Sequence, residues 1–180
     1  MFTAKFEEAE EKVPSFYEIG AYANSDYKAD DIQEMESWVL SSLKWNLNTV
    51  TPPRYLGLFH SKGVVFESDT IQGRELVRKV PRYVKKYTDF FSDLCLQEYS
   101  FQQYPSSLLA SAIIAASRRA LHIKPLWCNE LTYLTSYTET EIWDCFEHIW
   151  NFYVASFPKE AEERYKDDAY YTSPNTVMVA

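Results

Sequence analysis

Three features of the sequence predict an all-α protein. Only 4 of its 180 residues are glycine, too few for a β-sandwich or barrel, which needs a turn signal roughly every 10 residues. Alternating Val/Ile/Thr runs are scarce. Residues 108–121 are apolar almost all round, a pattern that suits a helix enclosed by other helices. With 46% hydrophobic residues, a chain of this length can bury roughly 70% of its unfolded surface, which excludes chain-wide disorder.

The elements follow in order. Residues 5–11 are acidic and helix-prone until Pro14 removes a backbone donor. Phe16, Ile19 and Tyr22 share one helical face, closed by the Asn24-Ser25-Asp26 turn cluster. Asp30 or Asp31 then starts a helix whose stripe is Ile32, Met35, Val39 and Leu43, widened by Trp38 and Leu40. Thr51-Pro52 reads as an N-cap followed by a first-turn proline, with Tyr55, Leu58 and Phe59 as the buried side.

Residues 73–97 carry Leu76, Val80, Tyr83, Val84, Tyr87, Phe90, Phe91 and Leu94 on one face and Arg74, Arg78, Lys85 and Lys86 on the other. Pro81 kinks this helix or marks its true start. Ser106 or Ser107 caps the enclosed helix, and Leu126, Trp127, Leu131 and Leu134 make a further helix. Thr138 and Glu141 form a capping box before a last helix with Ile142, Phe146, Ile149 and Tyr153 as its stripe. Residues 51–157 thus read as a self-contained five-helix unit around a buried helix. Residues 1–50 hold too few helices to enclose a core alone, and residues 158–180 read as a disordered tail.

Charge and chemistry narrow the function. The net charge of −8 disfavours a protein built to neutralise nucleic-acid phosphates. It is unevenly spread, with 4 basic and 10 acidic residues in 1–50, 11 and 6 in 51–125, and 3 and 10 in 126–180. No phosphate loop, dinucleotide fingerprint or nucleophile elbow is present. His60, His122 and His148 follow Gly57, Arg119 and Cys145 at the spacing where a di-iron bundle needs Glu. Cys145 and His148 supply at most half a zinc site, and Glu7, Glu8, Glu10 and Glu11 read as a solvated acidic face. No catalytic residue, metal or cofactor is expected.

Cys95, Cys128 and Cys145 contain no CxxC pair, which suggests reduced thiols and a nuclear or cytoplasmic address. No apolar stretch of about 18 residues suggests a membrane span, and the acidic start does not read as a signal or transit peptide. Five Trp and fourteen Tyr favour a binding role, because these side chains anchor interfaces.

Specific strings sharpen that role. Lys5-Phe6-Glu7-Glu8, then Met35-Glu36 with Leu40, then Lys44-Trp45-Asn46-Leu47 and Thr51-Pro52 resemble the second half of the N-terminal cyclin box, most closely in G1-type cyclins of the D and E groups. Residues 51–157, with Tyr104-Pro105-Ser106-Ser107-Leu108-Leu109-Ala110-Ser111-Ala112 opening the central helix, are similar to the C-terminal cyclin box. The resemblance implies an all-α cyclin fold and a non-catalytic regulatory subunit that binds and activates a cyclin-dependent Ser/Thr kinase in cell-cycle control. It implies that Lys5 and Glu36 hydrogen-bond main-chain groups around the kinase's regulatory helix, that Phe6 and Glu8 meet the same helix, and that Leu40, Trp45 and Leu47 form the apolar surface receiving it.

Three departures qualify the expectation. The stretch between Glu8 and Met35 is longer than in most cyclins, and Ala9-Glu10-Glu11-Lys12-Val13-Pro14 stands where a Pro-Pro pair is usual. The first two helices of the N-terminal box and most of the third have no counterpart in this sequence, so the substrate-docking patch of the first helix is expected to be missing. The alternative is a cyclin-box adaptor that docks proteins, or serves transcription, without activating a kinase; the basic stripe of residues 74–86 is its direct support. Ser173-Pro174 is a minimal proline-directed phosphorylation site.

Overall fold

The computed structural model describes residues 4–5, 8–23, 26–71, 74–75 and 78–158. The chain divides into two compact units, Met1–Thr49 and Val50–Ala180.

Among the described residues of the first unit, Ala4 and Lys5 are helical, and a 3-10 turn, Glu10–Lys12, precedes the α-helices α1 (Phe16–Tyr22) and α2 (Ala29–Ser42). The sequence reading missed the cap of α1. Ser15 accepts from the Glu18 amide at 3.3 Å while the Glu18 carboxylate accepts from the Ser15 amide at 2.7 Å, so two orphan donors are satisfied reciprocally. The Ser15 amide and then the Ser15 hydroxyl, which donates to the same carboxylate at 2.8 Å, hold the Glu18 carboxyl below the ordinary carboxylate range. Gly20 lets the backbone at Tyr27 come close, since a Cβ there would lie 3.1 Å from the Tyr27 carbonyl oxygen and that carbonyl would have to give by a few tenths of an ångström. Helix α2 starts with Asp31 accepting from the Lys28 amide at 3.1 Å.

The end of α2 is unusual. Lys44 and Trp45 both adopt left-handed backbone, φ 51° and 58°, so that the Trp45 amide reaches back to the Leu40 carbonyl at 2.9 Å and the Leu43 amide to Val39 at 2.9 Å. Glycine is the usual residue at such a cap because a Cβ is strained there. Here two bulky residues take the conformation.

The second unit holds α3 (Pro52–Lys62), α4 (Val80–Leu96), a 3-10 helix (Tyr99–Gln103), α5 (Ser106–Ala120), α6 (Asn129–Thr135) and α7 (Glu139–Ser156). Every residue of α5 from Leu109 to Ala120 is buried, and α3, α4 and α7 pack directly around it. Its alanines let these neighbours approach while Ile113 and Ile114 fill the space between. The α7 stripe of Ile142, Phe146, Ile149 and Tyr153 is buried as the 3.6-residue period predicts, and the Thr138/Glu141 capping box is present.

Several expected details differ. Leu56 and Phe59, not Leu58, face the core of α3; Leu58 is 52% exposed. Helix α4 begins at Val80, with Pro81 in its first turn, and Arg74 and Glu75, expected in its first turns, are extended. Tyr83 and Phe90 lie at the edge of its buried stripe, 51% and 36% exposed. Thr51 occupies the N-cap position of α3 without a side-chain bond. Neither Ser106 nor Ser107 caps α5, because Pro105 takes that position, and the Ser107 hydroxyl instead meets the Tyr137 hydroxyl at 2.8 Å. Helix α6 starts only at Asn129; Leu126 and Trp127 precede it as buried loop residues. The Trp127 indole N–H is held by Thr132 and the Tyr137 carbonyl, both at 3.1 Å.

A small antiparallel sheet, ordered β2-β1-β3, joins Thr70–Ile71 (β1) to Arg74–Glu75 (β2) and to Ile123–Lys124 (β3). Its register pairs Thr70 with both Glu75 and Lys124.

The sequence reading also did not anticipate Arg118. It is fully buried in α5, and its guanidinium makes five hydrogen bonds. Nε donates to the Leu126 carbonyl at 3.0 Å, Nη1 to the Val64 carbonyl at 3.0 Å and to Asp69 Oδ2 at 2.9 Å, and Nη2 to the Pro125 carbonyl at 2.8 Å and to Asp69 Oδ1. Asp69 is itself 1% exposed and also accepts from the Phe66 amide at 2.9 Å. Removing one member strands the other's charge in the core, so Asp69→Ala is expected to lower the unfolding free energy by about 3–5 kcal/mol. Urea denaturation monitored by tryptophan fluorescence measures this.

Candidate functional site

The first unit brings together two of the residues singled out in the sequence. Lys5 Nζ lies 2.7 Å from Glu36 Oε2 on α2, and also 4.9 Å from the centre of the Phe16 ring on α1. The side chains are 45% and 9% exposed, respectively. Half in solvent, the pair adds little to stability. Its asymmetry is more telling: Glu36 Oε1 is buried and finds no hydrogen-bond partner among the described residues. A carboxylate shielded from water with one oxygen unmatched calls for a donor.

The other candidates lie nearby in the chain. Leu40 is buried and Leu47 half-buried, while Trp45 is 70% exposed on its left-handed cap. Glu8 is exposed, its carboxylate 4.0 Å from Lys12 Nζ. Phe6, Glu7 and Ser173 lie outside the described residues. Met35 and Trp38, read in the sequence as part of the α2 apolar stripe, are exposed, so this helix presents more apolar surface than its unit covers. A concavity of about 850 Å³ opens beside the ion pair, lined by Lys5, Glu8, Pro14, Phe16, Tyr17 and Asp30.

Elsewhere the ionisable groups are structural. Burial pushes the Cys95 thiol up to about 12. Burial, and then the neighbouring Cys95, raises Cys145 as well. Cys128 is half-buried and is raised chiefly by burial. His148, one turn from Cys145, meets the Ser100 hydroxyl through Nε2 at 3.1 Å and the Tyr104 hydroxyl through Nδ1 at 3.2 Å, and stacks on Phe101. These bonds occupy both ring nitrogens. No group of three metal-ligating side chains occurs among the described residues.

In the second unit a groove of about 830 Å³ runs between α3 and α4, lined in part by Leu56, Gly57, His60, Arg82, Lys85 and Asp89. Thr88 Oγ1 donates to the Lys85 carbonyl at 2.8 Å, so it must accept from His60 Nε2, 2.7 Å away. That assigns the proton to Nε2 and leaves Nδ1 as the acceptor in neutral imidazole. Burial lowers the His60 pKa; Asp89 opposes the shift and Lys85 adds to it.

Residues 51–174 match the family described as the cyclin C-terminal domain. The chain belongs to the cyclin family. Cyclin-J of Xenopus laevis is 30% identical over 156 residues, covering 83% of this chain and 40% of its own length. Cyclin-D of Ostreococcus tauri is 31% identical over 150 residues, 81% of this chain and 40% of that protein. The putative cyclin-B3-1 of Arabidopsis thaliana is 26% identical over 167 residues, 93% of this chain and 38% of its own. A match that long takes in most of the first unit as well. These names span the J, D and B cyclins, a wider range than the D and E groups suggested by the sequence motifs. The chain spans about 40% of the length of these relatives.

Two measurements check the electrostatics. At pH 8 a thiol with a pKa near 12 is thiolate in only about 1 molecule in 10⁴, so brief iodoacetamide treatment of the folded protein is expected to modify Cys128 ahead of Cys95 and Cys145 in peptide mass spectra. A histidine with a depressed folded-state pKa contributes stability that is complete above its unfolded value of about 6.5 and is lost as pH falls through the folded value. The urea midpoint should therefore drop below pH 6.5, and less steeply in His60→Gln.

Proposed function

We propose that this protein is a non-catalytic regulatory subunit that binds and activates a cyclin-dependent Ser/Thr kinase in cell-cycle control, in the nucleus or cytoplasm. The observation that carries the reading is the half-satisfied Glu36 carboxylate beside Lys5. A main-chain amide of a partner would supply the donor that Oε1 lacks, and the remaining N–H groups of Lys5 would meet a partner carbonyl. Such charge-assisted bonds fix register. Apolar area around them supplies affinity, and Trp45 and Trp38 offer it, with Leu40 and Leu47 packed beneath or beside the contact.

In this reading Lys5, Phe6, Glu8, Glu36, Leu40, Trp45 and Leu47 receive the kinase's regulatory helix. The bound position of that helix pairs its glutamate with the lysine that orients ATP, which shifts the kinase population toward its active state. Ser173, followed by Pro174, is a proposed target of proline-directed phosphorylation.

The test is co-precipitation with recombinant cyclin-dependent kinases, followed by a phosphorylation assay on the captured complex. Lys5→Ala/Glu36→Ala is expected to reduce capture about tenfold or more, since two charge-assisted bonds are lost. Equal capture of variant and parent would overturn the reading. Capture without activation would favour the adaptor alternative.

A further inference from the structure

Helix α2 carries an apolar strip that its own unit leaves bare. Leu40 is buried and Ile32 and Val39 are half-buried, whereas Asp31, Met35, Trp38 and Ser42 are all exposed. At 3.6 residues per turn these four fall within about 60° of one another around the helix, on the side away from Leu40. Their spacing of four, three and four residues is that of the seam between two coiled helices, with Met35 and Trp38 as its apolar layers.

Two properties of α2 say what fits this strip. The first is self-complementarity. Met35 and Trp38 straddle the middle of the helix (Ala29–Ser42), so an antiparallel second copy crossing between them sets each Met35 against the other copy's Trp38, and each Asp31 against the other's Ser42. The second is polarised charge. Asp30 and Asp31 stand in the first turn, Lys44 follows the last, and neither Asp30 nor Lys44 forms an ion pair with a described residue. Antiparallel pairing brings each Lys44 to the other copy's Asp30 and Asp31, and sets opposite macrodipole ends side by side. Parallel pairing would put those aspartates against their own copies, like charge on like.

We propose that the outer face of α2 is a homodimer contact, in which two copies of this chain pair antiparallel with Met35 of each on Trp38 of the other. The contact is isologous, so it closes at two chains. A helix from another protein carrying one sign of charge would satisfy only one end of the strip, whereas a second copy satisfies both. The 14 residues of α2 span about 21 Å, a short contact at the low end of interface size, which corresponds to a weak dimer with Kd on the order of 10–100 µM. This inference goes beyond the kinase reading and does not rest on it; the two surfaces meet at Trp38, where one contact excludes the other.

Sedimentation equilibrium on the full chain alone, from about 5 to 500 µM so as to bracket that Kd, tests the proposal. The mass is expected to rise from 21.1 kDa toward twice that value and stop there. Met35→Glu/Trp38→Glu is expected to weaken association about tenfold or more, since both apolar layers then carry like charges. Tyr133→Glu, at an equally bare aromatic of the second unit, should dimerise as the parent does. Asp30→Lys and Lys44→Glu should each weaken association about threefold or more, because each places like charges at both ends of the pair. A mixture of these two variants should regain the parental affinity, as every end then faces its opposite. Both positions are exposed, so the mixing experiment does not depend on how the apolar strip tolerates glutamate.

A constant mass of 21.1 kDa over the whole range would leave this face to a different molecule and overturn the proposal. So would growth beyond two chains, undiminished association of Met35→Glu/Trp38→Glu, lost association of Tyr133→Glu, or no recovery on mixing. No kinase is present in the experiment, so its failure and the failure of the Lys5 and Glu36 docking role are separable.

Discussion

The second unit is organised around the guanidinium of Arg118. A helix as fully enclosed as α5 would ordinarily be apolar throughout, and placing a charge in it costs several kcal/mol of lost hydration unless every donor is matched. Here all are matched: two by Asp69 and three by the carbonyls of Val64, Pro125 and Leu126. Those carbonyls belong to irregular backbone after α3 and after β3, which cannot satisfy itself through long ladders because the strands have two residues each. One side chain thus ties the loops on both sides of the central helix to its interior. Arg119 next to it turns the other way, its guanidinium 4.2 Å from the Trp150 ring, so adjacent arginines join α5 to loops on one side and to α7 on the other.

How much of this was legible in the sequence follows from the range of each signal. Helices α5 and α7 were readable because composition and period act over three or more turns, and because Thr138 and Glu141 stand at the spacing of a reciprocal cap. The strands were not, since two residues carry no period. Leu58 was misassigned to the core over Leu56 because α3 is short and both faces have leucine; only the position of α5 decides between them. Leu126 and Trp127 looked helical by apolar spacing, but carbonyl groups committed to Arg118 keep that segment out of the helix. Nothing local marks Arg118 for burial, and its partner Asp69 lies 49 residues away, beyond any local pattern.

The candidate site divides along the same line. Lys5 and Glu36 were named through family resemblance, and nothing in their 31-residue separation foretells contact. The ion pair, the cation over Phe16 and the unmatched Oε1 come from the packing of α1 and α2, where Gly20 allows a close approach to Tyr27 and the Ser15/Glu18 cap starts α1. The basic groove was half visible: the cations were evident, but their discontinuity with the core face and their junction with His60 require α3 and α4 to be set side by side.

The left-handed cap at Lys44 and Trp45 bears on recognition through entropy. A glycine there would relieve backbone strain of about 1–2 kcal/mol per residue, yet it would leave no ring at this point of the surface. With tryptophan, the hydrogen bond from its amide to the Leu40 carbonyl fixes the origin of the side chain, so the indole is pre-organised rather than sampled from a flexible loop. Less conformational freedom remains to be lost when it is covered. If the proposed partner covers Trp45, part of the cost of that association is already met in the free protein, at the expense of its own fold.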